Sequence, residues 1–344
     1  MPATTSRRWT WAAVAATVSA AVLGVVFVRR LLRRRETSGV VNDDDIQFAT
    51  ATAAPPQAAK PGTASHEEIV ARTIAQLEAK TAAHPGDAAL RRDLGELILD
   101  ERGDGAAAEP HLRVAVAAVP EDATALFLLG RAAARQGRVA EATELVRQAI
   151  RLDEAGGASQ WHEVLGILQT EAGDFAAAKV SYEEALAVDP ANVAARNNLG
   201  KLLSNHFGNH DAARVAYETA LVYGKGDNKE MGRVHANLGA LLGSVYEDVA
   251  GAAEHCKAAI RFDPTIPTRH FNYACLAASL MDGETAIRHM EEAVALDGGA
   301  SPRYGRMLEQ MRHDFAPGGP AERMRAKKAA TLRGAASAVP AKAA

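Results

Sequence analysis

The chain has 344 residues, with 39 Lys and Arg against 42 Asp and Glu, 48% hydrophobic and 5% aromatic residues, two Cys and 14 Pro. This length and apolar content exclude a wholly disordered chain, and two cysteines exclude a small disulfide-stapled one. The formal charge of −3 is segregated into +7 over residues 1–35, −15 over residues 36–320 and +5 over residues 321–344, which excludes an evenly mixed surface.

Residues 1–8 form a short stub. Residues 9–28 (WTWAAVAATVSAAVLGVVFV) are uncharged and mostly apolar. As a helix they would reach about 30 Å, the thickness of a hydrocarbon core, so a transmembrane anchor is expected. The small residues Val18-Ser19-Ala20 suit a signal-peptide cleavage site, but the apolar run continues to Val28 and ends at Arg29, Arg30, Arg33, Arg34 and Arg35, a stop-transfer pattern. The larger positive cluster lies on the C-terminal side, so a single-pass membrane protein with its bulk in the cytosol is expected. The Arg-rich, acid-free start also suits the mitochondrial outer membrane, other membranes staying open. Residues 29–64, a basic flank followed by a run of Ala, Thr and Pro, are expected to be a flexible linker.

From residue 65 to 315 the chain repeats itself. A Leu-Gly pair or its equivalent recurs with its second member at Gly95, Gly130, Gly166, Gly200, Gly239 and Ala274, and a small residue follows at Ala108, Ala142, Ala178, Ala213, Ala252 and Ala286. Small residues at these places let two antiparallel helices approach closely, and Gly137 or Gly173-Asp174 supplies the turn between them. Pro120, Pro190 and Pro264 close their units. Pro110 falls inside the second helix of the first unit, where a late start or a kink is expected. Ser65–Pro85 and Ser301–Phe315 are expected to be terminal capping helices. The clearest copy, Trp161 to Pro190 (WHEVLGILQTEAGDFAAAKVSYEEALAVDP), resembles the tetratricopeptide repeat, a helix–turn–helix of about 34 residues. The resemblance implies an all-α, right-handed α-solenoid of about six repeats, preceded by the transmembrane helix and followed by a basic tail over residues 316–344.

No catalytic constellation emerges, and neither a cofactor nor a metal is expected. His206 and His210 lack the Glu of a zinc protease motif, and Gly224-Lys225-Gly226 lacks the spacing of a phosphate loop. His162, His235 and His270 share one position in their units, which marks a packing site. Cys256 and Cys275 are expected to be reduced.

A stack of this kind instead presents a groove lined by first helices, suited to a protein or peptide ligand. Positions i, i+3 and i+7 on each first helix share a face. They give Asp93, Glu96 and Asp100 in the first unit; Leu128, Arg131 and Arg135 in the second; Val164, Ile167 and Glu171 in the third; and Asn198, Lys201 and Asn205 in the fourth. Asn237 and Asn272 hold the place of Asn198 in the last two units. An amide offers both a donor and an acceptor, matching a peptide backbone of any sequence. This series resembles the asparagine ladder of the O-linked N-acetylglucosamine transferase superhelix, without that enzyme's catalytic domain. The carboxylate clamp of chaperone-binding tetratricopeptide domains is matched only at its middle member, Asn237.

The expected function is a membrane-anchored scaffold or adaptor that binds a protein or peptide, favouring basic segments, on the cytosolic face, as an organelle-surface receptor would. The alternative is an assembly or accessory factor for a secretion or cytochrome-biogenesis complex facing another compartment. An intrinsic enzyme is disfavoured, no nucleic acid partner is expected, and a homo-oligomer stays open.

Overall fold

The computed structural model describes residues 65–153, 158–224 and 228–327, which contain helices and no strand. The chain divides between Lys225 and Gly226 into two compact units.

The first holds α1 (His66–Ala83), α2 (Ala88–Arg102), α3 (Gly105–Ala118), α4 (Ala123–Arg135), α5 (Val139–Leu152), α6 (Ser159–Glu171), α7 (Phe175–Val188), α8 (Val193–Asn205) and α9 (His210–Tyr223). The second holds α10 (Asn228–Ser244), α11 (Val249–Phe262), α12 (Pro267–Ser279), α13 (Gly283–Asp297) and α14 (Pro302–Asp314), with further helix over residues 320–327.

The expected single-pass membrane location is corrected. Among the described residues no helix is long and apolar enough to cross a membrane. The longest, α1, has 18 residues and carries Glu67, Glu68 and Lys80, charges that a hydrocarbon core would not accept. Residues 9–28, on which that expectation rested, lie outside the described residues, as do the linker and the end of the basic tail.

Among the described residues, Asp or Asn caps start eight of these helices, whereas α6 and α12 begin at Ala158 and Ile266 without a side-chain cap. Asp87, Asp104, Asp122, Asp174, Asn192, Asn209, Asp248 and Asp282 each accept a hydrogen bond from the backbone N–H three residues on. Such a cap contributes about 1 kcal/mol. The two helices of a hairpin meet through the small residues. A Cβ on Gly95 would lie 2.6 Å from Leu112 Cγ, on Gly166 2.6 Å from the Tyr182 ring, on Gly200 2.7 Å from the Tyr217 ring and on Gly239 3.0 Å from Cys256 Sγ. On the facing second helices Ala108, Ala142, Ala178, Ala213, Ala252 and Ala286 are fully buried, and so are Ala115, Ala149, Ala185, Ala220, Ala259 and Ala293 one face-turn later. A methyl is therefore the largest group these seats hold.

Between the helices the chain takes a left-handed residue: Gly103, Gly137, Gly173 and Gly208 in the first unit, but Glu247 (φ 56°) and Met281 (φ 63°) in the second. α3 runs unbroken through Pro110, neither starting late nor ending there. Pro110 and Ala106, whose carbonyl loses its helical donor, are both exposed, so water can serve that carbonyl.

Candidate functional site

In the first unit, α6, α7 and α8 line a small cleft of about 40 Å³ that opens to solvent. Ile167, Thr170 and Glu171 come from α6, Tyr182 from α7, Asn198, Lys201 and Leu202 from α8, and His206 from the residue that caps α8. The repeat register places them. Gly166 lets the Tyr182 ring slide against α6, and this brings the Tyr182 hydroxyl to 3.3 Å from Thr170 Oγ1. Thr170 itself donates to the Gly166 carbonyl at 2.8 Å. His206 stacks on Phe175 with ring centroids 3.7 Å apart, which fixes one wall.

The cleft has an apolar floor, Ile167 and Leu202, beneath an amide, an ammonium, a carboxyl and two hydroxyls. Asn198 is 7% exposed, yet its side chain lines the cleft. Shielding by neighbouring side chains pushes the Glu171 carboxyl above its ordinary pKa. Such a site can pair with a peptide's backbone or polar side chains.

Of the residues selected by register, the structure brings four into this cleft: Ile167, Glu171, Asn198 and Lys201. Asn205 is exposed and lies outside its lining. Asp93, Glu96 and Asp100 are exposed on α2. Asp100 Oδ1 accepts from Arg131 Nη2 at 2.7 Å, so the acidic stretch and the neighbouring basic one partly neutralise each other. Arg135 is exposed near the end of α4.

In the second unit Asn237 on α10 is buried and Asn272 on α12 half-buried. Asn197, beside Asn198, is fully buried and thus part of the packing. Tyr182, Thr170 and His206 escaped the register-based selection because they come from the partner helix, the non-groove face and the turn. Tyr182 had one signal, a large ring facing a Gly on the preceding helix.

The histidines that share one position are indeed packed, each against its own second helix. His162 Nδ1 lies 3.1 Å from Glu184 Oε2, and His235 and His270 face His255 and His289. Cys256 is buried and Cys275 half-buried, neither in a disulfide, and burial pushes the Cys275 thiol up to about 12.

Family models described as tetratricopeptide repeat match residues 97–157 and 169–238. Comparison with curated proteins yields no match. Among solved structures, the APC/C hetero-tetramer Cut9–Hcn1 superposes with a TM-score of 0.61 at 17% identity over 72% of this chain and 46% of that one. The chain thus spans about half the length of that relative. Pseudomonas aeruginosa pilF gives 0.56 at 19% identity, covering 65% of this chain and 97% of that one. A tetratricopeptide repeat protein from Parabacteroides merdae gives 0.52 at 15% identity, covering 70% and 92%. At these identities the likeness is one of fold. The Gly and Ala seats and the two matched stretches agree, so residues 97–157 and 169–238 are similar to tetratricopeptide repeats within an all-α stack of helix hairpins.

Proposed function

We propose that this chain is a non-enzymatic scaffold that binds a peptide segment of a partner protein at the cleft formed by α6, α7 and α8. The observation that carries the reading is the Asn198 amide. It is nine-tenths buried yet lines an open cleft, flanked by Lys201 and by the Tyr182 and Thr170 hydroxyls over an apolar floor. A buried amide facing a cleft suits a ligand that both donates and accepts, which a peptide backbone does. Ile167 and Leu202 would take an apolar side chain of the same segment. The half-buried Asn272 offers a further amide in the other unit, and the acidic excess of residues 36–320 favours basic segments through long-range attraction.

The test is a random peptide library displayed on phage and selected on the full chain, with affinities of the enriched peptides then measured on Asn198→Ala. Losing an amide that makes one or two hydrogen bonds should weaken them about tenfold, with the circular dichroism unchanged. Peptides that bind the variant as tightly as the parent would place the binding surface elsewhere.

A further inference from the structure

The second unit holds the same side-chain arrangement twice. His235 on α10 and His255 on α11 face each other with Nδ1 atoms 2.9 Å apart and ring planes inclined by 34°. One repeat later, His270 on α12 and His289 on α13 do so at 3.1 Å and again 34°. In each pair a first helix is joined to its own second helix by nitrogen facing nitrogen, a contact that exists only if one Nδ1 carries hydrogen and the other does not.

The second pair fixes its own proton positions. His270 Nε2 lies 3.0 Å from the Pro264 carbonyl, which can only accept, so Nε2 bears the hydrogen. The bare Nδ1 of neutral His270 therefore accepts from His289 Nδ1–H. One added proton can settle on the bare Nε2 of His289 and leave the Nδ1–H···Nδ1 contact in place. A second cannot, because two N–H groups on two cations would then point at each other.

The surroundings oppose charge on these rings. His235 stacks on Phe262 with centroids 5.6 Å apart and feels Arg261 of α11. Tyr273 of α12 meets His289 edge-on at 4.7 Å. On α13, Arg288 repels a proton there more strongly than Glu292 attracts it. On α14, Arg303 lies over the Phe271 ring next to His270. These cations, and the supply of only two nitrogens per pair, speak against a bound metal ion. No group of three metal donors occurs among the described residues.

We propose that His235–His255 and His270–His289 form an acid-released latch that holds α10 on α11 and α12 on α13. Burial and the facing imidazole hold His235 and His289 at about 4, below their ordinary 6.5. A base depressed in the folded state favours folding above the unfolded pKa, and that contribution is lost as pH falls from about 6.5 toward 4. α10 and α12 carry Asn237 and Asn272, so acid loosens the helices that hold these two amides.

The test is hydrogen exchange of the full chain at about pH 7.5 and about pH 5, corrected for intrinsic rates, where linkage predicts a loss of protection of about tenfold per pair. The loss should fall on α10–α13 and exceed that on α2–α9, where His111, pushed down by burial and by Arg91, forms no such pair. The double variant His235→Gln with His289→Gln, which cannot take up protons at these rings, should lose the excess response. Should that variant fold poorly, NMR titration of the parent decides, with two imidazoles expected to titrate near pH 4. Titration of all rings near 6.5, or equal loss of protection in both units, overturns the latch.

Discussion

A single added methyl separates the two uses of glycine in this chain. At Gly166 the methyl would meet the Tyr182 ring at 2.6 Å, whereas at Gly173, with φ at 79°, nothing lies within 4 Å and the backbone alone resists it. Gly166→Ala should therefore destabilise the first unit by about 1–3 kcal/mol through overpacking, and also displace one wall of the cleft. A urea melt and peptide affinity on the same variant would read both effects. The opposite substitution belongs at Met281, which adopts φ 63° where the first unit uses glycine. Met281→Gly relieves a left-handed side chain and should stabilise by about 0.5–1 kcal/mol net of glycine's entropy cost, visible as a raised Tm. A lowered Tm would show that the Met281 side chain contributes packing that outweighs the strain.

At the scale of the helix, α3 carries a defect that it tolerates. Pro110 removes one backbone hydrogen bond in a 14-residue helix that nonetheless runs from Gly105 to Ala118. Part of the compensation is visible beside it. Glu109 accepts from Gln136 at 2.8 Å and pairs with Arg138 at 2.5 Å and Arg113 at 2.6 Å, tying α3 to α4 and α5. The hydrogen bond from Gln136, helped by both arginines, holds the Glu109 carboxyl below its ordinary pKa. Pro110→Ala should restore the bond to the Ala106 carbonyl and stabilise by about 1–3 kcal/mol, checked by chemical denaturation. No gain would mean that water already serves that carbonyl fully.

Helices were legible in the sequence because their determinants are local: a cap such as Asp174, a small residue such as Ala178, a turn glycine such as Gly173. What escaped depends on side chains that meet across two helices. His255 and His289 recur at the repeat interval just as His235 and His270 do, but no helical period links the two series, so their pairing across helices shows only in the structure. The cleft was half legible for the same reason. Glu171, Ile167, Asn198 and Lys201 share the groove face of their helices, whereas Tyr182 and His206 arrive from the following helix and the turn.

For the molecule as a whole, charge is the property that a distant partner meets first. Residues 36–320 carry a formal −15, and over the Debye length of about 8 Å at physiological salt that excess favours basic segments. If the partner is basic, binding of a lysine-rich peptide should weaken at least tenfold between about 50 mM and about 500 mM salt, mostly through a slower on-rate. An affinity indifferent to salt would assign recognition to the cleft's shape and hydrogen bonds alone. The acidity of the whole chain and the site around Asn198 are separable in this way, because Asn198 is uncharged and Lys201 has the opposite sign.

The caps bear on that number. Asp87, Asp104, Asp122, Asp174, Asp248 and Asp282 all rest their carboxylates against helix N-termini, where backbone N–H groups already hold a partial positive charge. A sizeable part of the formal excess is thus spoken for by the chain's own backbone. Close to these helix starts, the field a visiting cation feels is weaker than the count of carboxylates implies. Replacing cap aspartates by asparagine would keep the helices while lowering the formal charge, so helix capping and long-range attraction of a basic partner can be varied separately.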